Sequence, residues 1–415
     1  MKFTYEKEYD NVFDELVARG YYEQATNEEE LKELLSKEKV KFYCGFDATA
    51  DSLTVGHLIQ IMVMMRMQNY GHMPVALLGG GTTLIGDPSG RSDMRKVMTE
   101  ERIDHNASCF YKQFQKFLDF DNGAVMLNNK DWLLNLKFLE FLRDIGNEFL
   151  VNEMLKKDAY KNRMAQGGLT FFEFSYMLLQ SYDFLHMYRN DGVKLEIGGS
   201  DQWSNIIGGV DLIRKKENGK AYGMTFSLLT TADGVKMGKS QKGAVWLDEE
   251  KTSPYEMFQY MRNVDDRDVE KFLLQLTFLK TEEIKNLTAS KEAKDINKAK
   301  ETLAYEVVKL VHGEEKAKQA RDAARALFQG KGDESAMPTT KLEKENLPLG
   351  LLNLLTKLGL TKSNGEARRI VNQGGVSIND QKITDPTFEI TKEIFQDGKI
   401  IIKKGKKNFH KVELA

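Results

Sequence analysis

Tyr43-Cys44-Gly45-Phe46-Asp47-Ala48-Thr49-Ala50-Asp51-Ser52-Leu53-Thr54-Val55-Gly56-His57-Leu58 is the stretch on which the fold turns. Val40 to Phe46 alternates and then runs apolar, and Asp47 to Asp51 supplies turn residues, which predicts a buried strand entering a loop. Downstream, Leu58, Ile61, Met62 and Met65 recur at helical spacing until Gly71, and Pro74 to Gly80 forms a second short apolar run. Strand, loop, helix, strand is a βαβ unit. Its right-handed crossover implies a parallel sheet with ligands at the carboxyl ends of the strands, so the fold class is α/β.

Working outward, residues 193–199 (VKLEIGG) lead into SDQWSNIIGGVDLIRK, again strand, turn and helix, and a first domain over residues 1–225 is expected to close there. Ser253 and Pro254 look like an N-cap and first helical residue, and long periodic segments fill a helical domain over 226–328. Residues 329–348 hold two prolines and two glycines among polar residues and read as a linker. From Leu349 to the end, helices followed by short strands indicate a small α+β module over 349–415.

At 415 residues, two or three domains are expected. With 41% hydrophobic and 29% charged residues the chain has the profile of a soluble globular protein. The net charge of −2 hides an asymmetry, because residues 349–415 carry twelve Lys/Arg against seven Asp/Glu. A basic tail on an acidic body suggests a polyanion partner or, equally, a solvated lysine surface. Cys44 and Cys109 are too few for a disulfide scaffold, and no metal-ligand spacing or signal-peptide core occurs. A cytoplasmic protein without a membrane segment is expected.

His57 falls where a helix begins. A helix start attracts phosphate through free N–H groups and its dipole, while Gly56 admits a ligand close to the backbone. Lys236-Met237-Gly238-Lys239-Ser240, after the turn Ala232-Asp233-Gly234, offers two lysines and a hydroxyl to a triphosphate. Tyr176, Gln180 and Asp183 share one helical face and can line a pocket. Each is common by itself as a cap, a solvated loop or a polar helix face. No Walker or dinucleotide fingerprint is present, which removes kinase and dehydrogenase readings.

Taken together, these motifs resemble the tyrosyl-tRNA synthetase family, class I, of the bacterial or organellar type. Residues 43–58 resemble its HIGH signature, with Ala48 in place of a proline and Thr54 in place of the first histidine, and residues 236–240 resemble its KMSKS loop. Residues 176–184 resemble its YxxLQxYD segment. The tail resembles an RNA-binding module named after the fourth small-subunit ribosomal protein, through Ser363 to Arg369 and Gly374 to Asn379.

The resemblance implies a Rossmann-like catalytic domain, a helical anticodon-binding domain and an RNA-binding tail. It implies activation of L-tyrosine by ATP with Mg2+, transfer to tRNA(Tyr), and a homodimer. Tyr43 and Asp183 would meet the phenol, and Tyr176, Gln180, Asp87 and Gln202 the amino-acid end, with Thr82 and Asn129 also on the tyrosine side. Cys44, Gly199 and Asp201 match ribose contacts; Gly45, Asp47, Thr49, Gly56 and His57 match adenylate or ATP contacts; Leu228 and Leu229 match an adenine shelf. Arg91 and Arg95 occupy a mobile cationic loop that would act with Lys236, Lys239 and Ser240 on the triphosphate, and Arg368 and Arg369 would bind RNA phosphates. No protein ligands for a metal are expected.

Thr54 can offer the triphosphate only a neutral hydroxyl, which weakens stabilisation by about 1 kcal/mol, or roughly fivefold in rate. Within the same class a tryptophanyl enzyme is the nearest rival, disfavoured by the tyrosine-pocket pattern. Outside it stands an RNA-binding paralogue that has lost activity.

Overall fold

The computed structural model describes residues 5–87, 98–165, 167–240, 243–328, 339–379, 381–405 and 408–414. Two compact units divide the chain: residues 1–236 with 270–286, and residues 237–269 with 287–415.

The first unit is built on a six-stranded sheet of β1 (Tyr22–Ala25), β2 (Lys41–Phe46), β3 (Met73–Leu78), β4 (Val125–Asn128), β5 (Leu195–Gly199) and β6 (Tyr222–Phe226). Its order is β1-β6-β5-β2-β3-β4, with only β1 antiparallel to its neighbour. From β2 the chain winds outward through β3 and β4, then returns to place β5 and β6 on the other side. The order therefore reverses between β2 and β5, and the strand ends there leave a crevice open to a ligand.

The expected helix after β2 begins with a short 3-10 turn, Val55–His57, and continues over Leu58–Asn69. It is buried around its whole circumference rather than along one stripe, because Ile59, Val63, Met64 and Met67 are as covered as Leu58, Ile61, Met62 and Met65. Even Arg66 is enclosed, paired with Glu15 and donating to the Tyr21 hydroxyl at 3.2 Å. Helices Tyr176–Asp191 and Trp203–Glu217 pack on the sheet beside β5, with Phe184, Leu185, Leu212 and Ile213 in one core with Tyr43 and Val75.

In the second unit Ser253 caps the helix Pro254–Arg262 and closes a reciprocal pair with Glu256, as the Ser-Pro start predicts. Helices Ala293–His312 and Glu314–Phe328 follow. The C-terminal module packs helices Leu351–Lys357 and Asn364–Asn372 with a five-stranded sheet over a core of Leu351, Leu354, Leu355, Val371, Ile400 and Ile402. One feature departs from the sequence reading: the stretch expected to be a linker, 329–348, contains a strand, Thr339–Leu342, that pairs in parallel with the last strand, Asn408–Leu414. Two threonines favour extended backbone, and Leu342 is fully buried in the module's core.

Candidate active site

A cavity of about 360 Å³ opens at the β2/β5 crevice of the first unit. Tyr43 to Asp47 from the end of β2, Glu196 to Gly198 from β5, and Tyr176, Gln180 and Asp183 from one helix face line it. The helical spacing predicted from sequence does bring those last three side chains to one wall. Asp87, Asn129, Thr82, Thr49, His57, Asp201, Gln202, Leu228 and Lys236 complete the expected residues in the lining.

At the floor, Asp183 is 1% exposed. Its two carboxyl oxygens accept from Asn129 Nδ2 at 2.8 Å and Trp132 Nε1 at 2.7 Å. Burial pushes its pKa up to about 8, offset in part by those two donors, with the charges of Glu196 and Asp47 adding to the rise. Asn129 is held in turn: its other contacts are the Gly81 amide, donating to Oδ1 at 2.8 Å, and Thr82 Oγ1 at 3.0 Å. The Tyr43 hydroxyl, on β2, is buried beside the Glu196 carboxyl group but in no well-formed hydrogen bond, and burial, with the charge of Glu196 next, raises its pKa well above the usual phenol value. A buried hydroxyl so placed at a cavity wall is a group waiting for a ligand.

Elsewhere in the lining, Gln202 Nε2 donates to Asp87 Oδ2 at 2.6 Å, and Gln180 Nε2 to Glu196 Oε1 at 2.9 Å. Gly79, at the end of β3, is there for want of room: a Cβ would stand 2.6 Å from both Asp47 Oδ1 and Thr82 Oγ1.

The side around His57 and Lys236 is built differently. The Thr54 backbone N–H donates to His57 Nδ1 at 3.0 Å, so Nδ1 is an acceptor and the ring proton sits on Nε2. Burial pulls the imidazole pKa down to about 4, so near neutral pH the ring is an uncharged Nε2–H donor. The Thr54 hydroxyl, expected to face a triphosphate, instead lies 3.0 Å from that same Nδ1, and Thr54 is absent from the lining. Lys236 Nζ pairs with Asp201 Oδ2 at 3.1 Å, both partly exposed.

Gly56, Gly199 and Leu229 do not line the cavity. Gly199 sits behind it, where a Cβ would stand 2.7 Å from Leu228 Cδ2, and Leu229 is buried in the core. Lys239 and Ser240 form a short hairpin with Gly243–Ala244 in the second unit, anchored by the Gly238 amide donating to Tyr260 Oη at 3.0 Å. Arg91 and Arg95 lie outside the described residues. Arg368 and Arg369 are exposed on the helix Asn364–Asn372 of the C-terminal module.

Sequence reasoning did not single out Trp132 or Glu196. Trp132 follows Asn129 by three residues, and Glu196 is an acid inside an apolar strand, but neither position tells by itself which side chain it meets. Among the described residues no group of three or more His, Cys, Asp or Glu is placed to hold a metal, and no helix is long and apolar enough to cross a membrane.

Residues 35–329 match the family model for class I tRNA synthetases (W and Y), and residues 330–412 match that of the tyrosine–tRNA ligase SYY-like C-terminal domain. The chain is 56% identical over 405 residues to a tyrosine–tRNA ligase of Lachnoclostridium phytofermentans, covering 97% of this chain and 98% of the relative. It is 54% identical over 403 residues to one from Clostridium kluyveri, covering 97% and 99%. Among solved structures, a C-terminally truncated mitochondrial tyrosyl-tRNA synthetase of Aspergillus nidulans is similar with a TM-score of 0.69 at 29% identity, covering 77% of this chain and 95% of that one.

Proposed function

The chain belongs to the class I tRNA synthetases of the W and Y family, and from that premise we infer that it is a tyrosine–tRNA ligase whose cavity floor selects the amino acid and whose rim handles ATP. The observation that carries the choice of tyrosine is the floor itself. A carboxyl group locked by Asn129 and Trp132 stands across from a Tyr43 hydroxyl in no well-formed hydrogen bond, which suits a phenol that both donates and accepts a hydrogen bond.

In the first step the tyrosine carboxylate oxygen bonds to the α-phosphorus of ATP. The bond to the bridging oxygen breaks, and pyrophosphate leaves with the electron pair. The nucleophile needs no deprotonation near neutral pH, so positioning and electrostatics do the catalysis. Tyr43 and Asp183 hold the phenol, with Asn129 and Thr82 behind them. Tyr176, Gln180, Asp87 and Gln202 hold the amino-acid end. Cys44 and Asp201 meet the ribose; Gly45, Asp47, Thr49 and His57 the adenylate or ATP; Leu228 the adenine; Gly56, Gly199 and Leu229 support these from outside the lining. Lys236, Lys239, Ser240, Arg91 and Arg95 stabilise charge on the triphosphate. ATP enters as its magnesium complex, the ion held by phosphate oxygens and water.

In the second step a hydroxyl of the terminal adenosine of tRNA(Tyr) attacks the activated carbonyl and releases AMP. Residues 1–225 serve catalysis, 226–328 the triphosphate loop and the anticodon, the stretch from 329 to the strand at Thr339 links, and the module from Thr339 onward binds RNA, with Arg368 and Arg369 on phosphates. A cytoplasmic site of action goes with protein synthesis.

A homodimer is supported by exposed apolar side chains on the first unit. Leu139 is 77% exposed and Phe171 68%, and Phe171 and Val151 share a groove of about 610 Å³. Light scattering should give twice the chain mass, and Leu139→Asp should shift it toward the monomer. Amino-acid-dependent ATP–pyrophosphate exchange tests the function. Exchange is expected with tyrosine and not with tryptophan; silence with tyrosine would overturn the reading.

A further inference from the structure

Glu196 stands in the middle of β5, only 2% exposed, in a strand otherwise apolar or glycine over residues 195–199. An acid at such a position is not chosen for packing, since a carboxylate sheds its water at a heavy cost there. Helix Trp203–Glu217 crosses over it. A Cβ on Gly209 of that helix would stand 3.4 Å from Glu196 Oε2 and 2.9 Å from the Phe184 ring, so the bare glycine leaves just the space the carboxyl group and the ring occupy. Closed off on that side, Glu196 accepts from Gln180 Nε2 at 2.9 Å, and its other polar neighbour is the Tyr43 hydroxyl.

The two ends of a glutamine amide are alike in shape and opposite in chemistry. Next to another amide or a hydroxyl, either end can be presented. Next to a carboxyl oxygen that accepts, as Glu196 Oε1 does, the NH2 must face the acid and the carbonyl oxygen must face away. Gln180 also lines the cavity, so the acid behind it decides which end the ligand meets.

We propose that Glu196 is a positioning residue for amino-acid recognition: it holds the Gln180 NH2 and thereby turns the Gln180 carbonyl oxygen toward the cavity as the acceptor for a substrate ammonium group. This rests on the assignment of Gln180 to the amino-acid end. A flipped Gln180 would present two N–H donors to an ammonium that is itself all donor, and the contact would be lost.

The test compares three ligands on the full-length chain: L-tyrosine, tyramine, and 3-(4-hydroxyphenyl)propionate, which lacks the ammonium. Glu196→Gln keeps the shape and removes the bias. It should weaken tyrosine and tyramine by about tenfold, the order of one hydrogen bond to a charged group, and leave the propionate within about twofold. At saturating tyrosine, kcat for pyrophosphate exchange should change by less than about twofold while KM carries the loss. Glu196→Asp, which draws the acceptor back by one methylene, should show the same selectivity and serves if the Gln variant does not fold.

A merely structural role would weaken all three ligands alike, and that result, or no weakening at all, overturns the proposal. Gln180→Ala separates the two levels. If it fails to discriminate between ligands with and without ammonium, the assignment of Gln180 itself falls. If Gln180→Ala discriminates and Glu196→Gln does not, only the role of Glu196 falls.

Discussion

The floor and the rim of the cavity are made of the same kinds of groups under opposite conditions. At the floor, Asp183, Asn129 and Trp132 are tied to one another by bonds of 2.7 to 2.8 Å, away from water. At the rim, Asp201 and Lys236 meet at 3.1 Å with 28% and 57% of their side chains exposed. An exposed pair of this kind contributes little to stability and exchanges readily for another anion, whereas a buried carboxyl cannot change partners without leaving a donor unpaired. The difference matches two tasks. Choosing one amino acid requires polar groups fixed before the ligand arrives, and handling a triphosphate that must enter, react and leave as pyrophosphate requires charges free to let go.

If this contrast holds, disturbing the floor should be costly and disturbing the rim mild. Asp183→Ala leaves the Asn129 and Trp132 donors facing each other across a void, and should lower kcat/KM for tyrosine by roughly a thousandfold, the order expected when a buried polar recognition group is removed. A variant retaining more than a tenth of the activity would break the comparison. Tyr43→Phe removes a buried hydroxyl that forms no well-formed hydrogen bond in the free protein, so the discrimination between tyrosine and phenylalanine should fall by about tenfold or more while thermal stability changes little. Those two readouts moving together would instead mean the hydroxyl is structural.

At the rim, Thr54→His should raise the rate of pyrophosphate exchange by about fivefold with tyrosine affinity unchanged, because the present hydroxyl is directed at His57 rather than at the cavity. A lower rate would show that the Thr54–His57 contact matters more than a new donor. A further effect is on stability. Asp183 and Glu196 have folded pKa values raised by burial, to about 8 and about 7, while burial lowers those of His57 and His72 to about 4. The two pairs oppose each other below about pH 6.5. Above it the folded state holds more protons than the unfolded one, and ligand-free stability should fall from about pH 6.5 to 8. Calorimetry should show that fall, shallower in Glu196→Gln.

Most of this arrangement could be read before any coordinates. The apolar run into Asp47, the helix from Leu58 and the second strand were sufficient for a parallel α/β sheet, because two periodicities and a handedness rule leave few alternatives. Tyr176, Gln180 and Asp183 were legible as a wall because helical spacing is geometry. Trp132 and Glu196 were not, since nothing in a strand or loop taken alone says which neighbour a side chain will meet. The direction of the Thr54 hydroxyl was misjudged for a similar reason: a group at a helix start has local partners, and His57, three residues on, is nearer than any ligand. Conversely, the full burial of helix Leu58–Asn69 could not follow from spacing, because a stripe of apolar residues looks the same whether its other face meets water or more protein.

The parallel pairing of Thr339–Leu342 with Asn408–Leu414 bears on where the C-terminal module can be cut. A fragment beginning at residue 349 would lose the outermost strand and uncover the seven-residue strand Asn408–Leu414 along its hydrogen-bonding edge. Open edges of that length recruit other chains. Excised at 339 the module should stay dispersed, and excised ten residues later it should self-associate, so the start of the C-terminal module is fixed by its last strand.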